Sequence, residues 1–307
     1  MPPVLAERLA AMRVPVILGP TGVGKSRAAF EVARALDAEI VVCDSRQVYD
    51  RLDIATNKPS AAELREVRYH LVGFADPAGL FTVFDFVEAA TAALADIAAR
   101  GRIAVVEGGS MLWADALMDG FSLAGVAPRP DRRSELEGLP LAELVAMLHG
   151  LDPTARVDER NRPRVVRAIE VLEVAGPPLD RLRRRTPPPW SPIRIGLTAD
   201  LSVIDRRLAE RSRRQVERGV VEETRTALSS GVPPEAPVLT GIGYAQAAGA
   251  LRGEIDPEQL PEVMAQANRR YARRQLRWLR RDPRITWFDA AEDPVPRILE
   301  FLRDRLS

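Results

Sequence analysis

Gly19-Pro20-Thr21-Gly22-Val23-Gly24-Lys25-Ser26 satisfies the phosphate-binding pattern G-x-x-x-x-G-K-[ST] at every fixed position. Glycines let backbone N–H groups turn onto a di- or triphosphate, and the helix N-terminus that follows adds partial positive charge. Lys25 adds a full charge, and the Ser26 hydroxyl can reach Mg²⁺. The flanks suit a P-loop: residues 14–18 form a short apolar run and residues 27–36 an Ala-rich helical pattern. The motif alone leaves open which phosphate compound it holds.

Other candidates follow from position. Residues 39–43 read as a second buried strand ending at Asp44, and residues 103–106 as a third ending at Glu107. In an open parallel sheet, ligands sit at the carboxyl ends of strands, where the P-loop also points. Asp44 can there bind Mg²⁺ through water or take a proton from a nucleophile, although Asp-Ser also starts ordinary turns. Glu107 stands where nucleotide hydrolases more usually place an Asp, which argues against ordinary ATP hydrolysis. Gly108-Gly109-Ser110 is either a second hydroxyl-bearing loop or a plain turn. His70 and His149 have no second histidine at metal spacing and are given no catalytic role.

Composition narrows the class. A chain of 307 residues, 46% hydrophobic, can build two domains with an adequate core. Net charge is only +1, so a nucleic-acid surface must come from local clustering. Lysine occurs only at Lys25 and Lys58, every other cationic side chain being arginine, which suggests a specific task for Lys58 as well. The single Cys43 excludes internal disulfides and cysteine zinc sites and fits a reducing compartment. No signal peptide or long apolar run is present, so a cytoplasmic protein without a membrane partner is expected.

The elements that must position these groups are an α/β P-loop core with a parallel sheet and an inserted all-helical domain. Strands are expected at 193–197 and 285–287, and helices at 85–100, with Asp85 and Glu88 as capping partners, 202–218, 220–230 and 258–281. Between them, residues 119–190 turn rich in Arg, Pro and helix formers, with helical spacing at 139–148 and 165–174. The expected division is a core of 1–118 with 191–307, and an insert of 119–190. On the last long helix, Leu260, Val263, Ala267, Tyr271 and Trp278 share one face, while Arg270, Arg274, Arg277 and Arg281 share another. A basic stripe opposite an apolar one suits phosphate-backbone binding, as do the clusters at 160–167 and 183–185, although a solvated face looks the same in sequence. The insert holds no aromatic residue between Phe121 and Trp190, which favours folded RNA over a single-strand stacking platform.

With these residues in hand, the chain resembles the tRNA dimethylallyltransferases, also called tRNA isopentenyltransferases. The resemblance rests on the P-loop, Asp44-Ser45-Arg46-Gln47-Val48-Tyr49, Ile54-Ala-Thr-Asn-Lys58-Pro59, His70-Leu71 and Gly108-Gly109-Ser110. It continues through Asp152-Pro153, Arg164-Val165-Val166-Arg167-Ala-Ile-Glu170, Gly241-Ile-Gly-Tyr244 and Arg269-Arg270-Tyr-Ala-Arg-Arg274-Gln275 with Trp278. It implies a P-loop that holds the diphosphate of dimethylallyl diphosphate, with Mg²⁺ near Ser26. The five-carbon group would pass to N6 of adenine 37 beside the anticodon, in tRNAs reading codons that begin with U. Asp44 matches the family's base, Arg211 its diphosphate arginine, Thr21 a P-loop donor, and Ser110 a position usually Thr. Asp44, Ser45, Arg46 and Gln47, and Pro163, Arg164, Val165, Val166 and Arg167, match stretches that contact the anticodon stem-loop. Lys58, Arg270, Arg274 and Arg277 join them as tRNA candidates, and a monomer is expected.

The chain departs from the family pattern at Tyr69, Met111, Trp113, Ser212, Gln215 and Gln246, and residues 132–148 are shorter than usual. None of these removes a proposed catalytic group. The alternatives are a small-molecule or nucleotide kinase using the same P-loop for ATP, and a non-catalytic RNA-binding P-loop protein. If the basic stripe grips phosphates, replacing Arg274 and Arg277 by Ala weakens tRNA binding and flattens its salt dependence. A filter-binding salt titration with an unchanged slope would make the helix a merely solvated face.

Overall fold

A computed structural model describes residues 3–120, 126, 129–182 and 185–306. Phe121 and the arginines at 183 and 184 lie outside the described residues. The chain divides into two compact units, one formed by 1–114 with 189–307 and the other by 115–188.

The first unit is built on six parallel strands: β1 Arg13–Leu18, β2 Glu39–Cys43, β3 Tyr69–His70, β4 Ala104–Gly108, β5 Ser191–Thr198 and β6 Thr286–Asp289. Their order is β3-β2-β4-β1-β5-β6, each neighbour pairing parallel. β2 and β4 are buried at every residue, so apart from Glu39 and Glu107 they read as apolar runs and not as alternating ones. Ile17, Ile40, Val42, Val105, Ile195 and Leu197 from the sheet pack with Ala29, Val32 and Leu208 from its helices. β1 is followed by the P-loop, β2 by Asp44 and β4 by Gly109-Ser110. One carboxyl edge therefore receives all three segments.

β3 is too short to carry a periodic signal in the sequence; it is held by pairing Tyr69 and His70 to Ile40 and Val41 of β2. Two local expectations are corrected. The helix over 85–100 runs Val83–Ala99, and its capping box is Thr82 with Asp85, not Asp85 with Glu88. Thr82 offers a hydroxyl acceptor to the Asp85 amide, whereas Asp85 already lies inside the first turn. The long helix spans Leu260–Leu279; its buried face is Met264, Ala267, Asn268, Ala272, Gln275, Leu276 and Leu279, while Val263, Tyr271 and Trp278 are only partly covered.

His70 has a structural partner. Its Nε2 lies 2.7 Å from Glu39 Oε2, which Arg100 Nη2 also reaches at 2.7 Å.

The second unit packs Leu136, Leu144, Leu148, Val165, Val166, Ile169 and Leu172 into a small core of its own. Asp152, 2% exposed, accepts from Thr154 N at 2.9 Å and from Leu179 N at 2.7 Å, tying two helix connections together. Glu170, fully buried, accepts from Arg133 at 2.6 Å and from Arg129 N at 3.1 Å. Among the described residues no helix is long and apolar enough to cross a membrane.

Gly108 ends β4 where β2 comes closest. A Cβ added there would sit 2.0 Å from the Cys43 carbonyl oxygen. Gly108→Ala must force β2 and β4 apart and is expected to cost about 1–3 kcal/mol or more, as core overpacking does. Urea denaturation checks this, and an unchanged midpoint would refute the close approach.

Candidate active site

The P-loop turns tightly because Gly22 takes φ +82°, and its Cα approaches helix Leu201–Glu217 so closely that a Cβ would meet Leu208 Cδ2 at 2.7 Å. Gly24 starts the helix Lys25–Ala35 without a side-chain cap, so the first amides of that helix stay available to an anion. Gly19, Pro20 and Val23 are buried behind the loop. Thr21, Gly22, Gly24, Lys25 and Ser26 face a polar cleft of about 740 Å³ that lies wholly within the first unit.

Four of the ionisable groups lining this cleft, Lys25, Asp44, Glu107 and Arg211, act on one another at the P-loop. Burial holds the Lys25 ammonium below its ordinary range, while Glu107 and Asp44 pull it back up. Lys25 Nζ meanwhile donates to Pro20 O at 3.1 Å. Burial pushes Glu107 up to about 7, with Lys25 opposing and Asp44 adding to the rise. Burial likewise pushes the Arg211 guanidinium down to about 10, against the attraction of Asp44. Arg211 Nη2 donates to Thr21 Oγ1 at 2.7 Å and to Asn268 Oδ1 at 3.1 Å, and its buried Nε has no hydrogen-bond partner among the described residues. An anionic ligand would relieve both cations at once.

Asp44 serves as a turn residue and leaves chemistry available. Its Oδ1 accepts from Arg46 N at 2.8 Å and Gln47 N at 3.3 Å, while Oδ2 takes no hydrogen bond among the described residues. Ser110 Oγ accepts from Ser45 N at 2.9 Å and lies 3.2 Å from Ser45 Oγ, so this hydroxyl braces the Asp44 loop. Asp44, Ser45, Arg46, Gln47, Ser110, Arg211 and Arg274 all line the cleft.

Other expected site residues are placed elsewhere. The Lys58 side chain is 8% exposed and donates to Asp53 at 2.5 Å, an ion pair within its own loop. Arg270 and Arg277 are exposed on the long helix but do not line the cleft. In the second unit Pro163 and Arg164 are exposed, Val165 and Val166 are core residues, and Arg167 is engaged with Val126 O and Glu170.

Sequence analysis gives Asn268 no mention and Gln275, although part of a family motif, no role. Gln275 Oε1 accepts from Thr21 N at 2.8 Å and its Nε2 donates to Gly109 O at 2.7 Å, joining the P-loop to the loop after β4. Asn268 orients Arg211. The two amides lie seven residues apart on a helix face that is otherwise apolar, and that polar pair was the available signal. Glu223 was also silent. Its carboxylate accepts from Asp53 N at 2.8 Å, Ile54 N at 3.1 Å and the Tyr244 hydroxyl, holding the loop whose Ala55, Thr56 and Asn57 wall the cleft.

Cation donors are limited to hard oxygens: the Ser26 hydroxyl, 3.4 Å from Glu107 Oε1, with Asp44 across the cleft. No cluster of three metal-ligating side chains exists among the described residues. That set suits Mg²⁺, which takes one or two carboxylates and completes its shell with water and substrate phosphates.

The family model described as IPP transferase matches residues 47–282, a span that starts after the P-loop. The tRNA dimethylallyltransferase of Thermomicrobium roseum is 38% identical over 303 residues, covering 96% of this chain and 91% of that protein. Its counterpart in Chloroflexus aurantiacus is 38% identical over 275 residues, covering 88% and 93%. Among solved structures, the full-length tRNA isopentenylpyrophosphate transferase of Bacillus halodurans aligns with TM-score 0.73 and 31% identity over 96% of each chain. A eukaryotic dimethylallyltransferase described as acting on tRNA shares the fold, with TM-score 0.78 at 24% identity over 91% of this chain and 74% of that one.

Glu107 gives this site a pH signature. Folded, it keeps its proton to about pH 7; unfolded, it ionises near its ordinary 4.5. Between those values the folded state holds the extra proton, so this group's contribution to stability falls as pH rises. Glu107→Gln in the ligand-free protein should therefore gain stability relative to the parent between pH 5 and pH 8, read as melting temperature. Parallel pH profiles would show that Glu107 ionises normally.

Proposed function

This chain belongs to the IPP transferase family, and on that premise we propose how its cleft moves a dimethylallyl group from dimethylallyl diphosphate to tRNA. The enzyme is a tRNA prenyltransferase: it acts on N6 of adenine 37 in tRNAs reading codons that begin with U and releases diphosphate. One observation supports the assignment of the cleft most directly. Lys25, Arg211 and Thr21 converge on the P-loop while Asp44 faces them with one free carboxylate oxygen.

Prenyl transfer breaks the C–O bond of the donor, and negative charge grows on the departing diphosphate. Lys25, Arg211, the Thr21 hydroxyl and the P-loop amides are placed to receive that charge, in a cleft where desolvation makes them effective. Mg²⁺ held near Ser26 and Glu107 would supply further charge neutralisation of the diphosphate. As N6 bonds to carbon it must lose a proton, and Asp44 Oδ2 accepts it. The two amides on Oδ1 keep Oδ2 pointed at the acceptor, and Ser110 holds the loop through Ser45. Adenine must leave its stack to enter the cleft, as bases do in other modifying enzymes. Gln275 keeps the P-loop and the Gly109 loop at fixed spacing during the transfer.

The anticodon stem-loop is gripped through phosphates. Arg46 and Arg274 lie at the cleft, and Arg270 and Arg277 extend the basic face of the long helix. The enzyme works as a monomer in the cytoplasm, and the kinase reading gives way to carbon attack on an allylic diphosphate.

Asp44→Asn keeps the turn hydrogen bonds but cannot take the proton. Turnover should fall about 10²- to 10⁴-fold, the usual contribution of a general base, while stem-loop binding stays near that of the parent. A single-turnover assay with radiolabelled dimethylallyl diphosphate reads this, and full activity in the variant would remove Asp44 from the base role.

A further inference from the structure

Phe74, Leu80, Phe84 and Leu112 are 50%, 56%, 54% and 46% exposed, and the transfer chemistry uses none of them. All four belong to the carboxyl edge of the sheet. Phe74 follows β3, Leu80 and Phe84 flank the start of the helix Val83–Ala99, and Leu112 opens the helix that follows β4. Backbone bonds join this region to the acceptor side of the cleft: Gly73 N donates to Gln47 O and Phe74 N to Val48 O, both at 2.8 Å.

The Phe74 ring rests on an aromatic base. Phe74 meets Phe81 edge-on at 5.3 Å, Phe81 lies 5.9 Å from Trp113, and Trp113 stacks on Phe86 at 4.5 Å. Phe81 N donates to the hydroxyl of buried Tyr49 at 3.2 Å. The Thr82–Asp85 capping box fixes the next turn, the one that presents Phe84. Such an arrangement offers flat apolar faces at little entropic cost on binding.

We propose that Phe74 and Phe84 form a stacking platform for unpaired bases of the RNA loop that delivers its adenine to Asp44. The proposal rests on the tRNA reading above and names where the neighbours of the extruded base go. Once one base of a loop swings out, adjacent bases lose a stacking partner, and single-stranded bases are typically received on aromatic faces. Continuity with the stretch from Asp44 to Gln47 is what selects RNA over a protein partner for this surface.

The test uses the full chain and an anticodon stem-loop RNA carrying 2-aminopurine at an unpaired loop position beside the target adenine. Binding to the parent protein should quench the probe. Phe74→Ala with Phe84→Ala should abolish that quench and weaken affinity about five- to a hundredfold. The slope of log Kd against log salt should stay unchanged, since no phosphate contact is lost. Phe74→Tyr with Phe84→Tyr keeps both rings and should restore quench and affinity. Equal affinity and equal quench in the alanine variant, with an unchanged melting temperature, would overturn the platform and leave the patch to a protein partner. Absence of any stem-loop binding by the parent would instead overturn the tRNA reading on which it rests.

Discussion

Lys25, Glu107 and Arg211 line one cleft, and partial withdrawal from solvent shifts the acid–base behaviour of each. Two cations held partly against their preference, beside a carboxylic acid that keeps its proton to about pH 7, make a site short of negative charge. A diphosphate would supply that charge. The remainder of the core serves this condition: buried β1, β2 and β4 bring their loops to one edge, and Gln275, Asn268 and Ser110 lock those loops together.

The same condition distinguishes prenyl from phosphoryl transfer. In a kinase the P-loop steadies a phosphoryl group that is itself attacked. Here the loop would hold the leaving group, and the nucleophile approaches a carbon beyond it. Asp44 is suited to that approach because the amides of Arg46 and Gln47 orient it without consuming both oxygens.

Much of this was legible in the sequence because it is written in strong local signals. The P-loop has a fixed spacing, and β1, β2 and β4 are apolar runs that end at Thr21, Asp44 and Ser110 or just before them. The parts that escaped depend on long-range pairing. β3 exists only because β2 offers it an edge, and Glu223 acts on a loop 170 residues away. Arginine runs were a coarse guide as well. In the insert, Arg133 and Arg167 are spent on buried Glu170, and on the long helix Arg273 is paired with Asp205. Among the described residues no ion pair joins Arg270, Arg274 or Arg277 to a carboxylate, a distinction that periodicity suggests but only packing establishes. Lys58, singled out by the rarity of lysine, does have a specific partner, yet that partner is Asp53.

The central claim is that the P-loop holds diphosphate while carbon is attacked. Dimethylallyl diphosphate labelled with ¹⁸O at the bridging oxygen between carbon and phosphorus tests it in one turnover with tRNA. Cleavage of the C–O bond leaves the label in released diphosphate, one equivalent for each prenyl group found on tRNA, and this is the result the account predicts. Label recovered in dimethylallyl alcohol, or a phosphoryl group on the acceptor, would mean that phosphorus is the centre attacked and would contradict it.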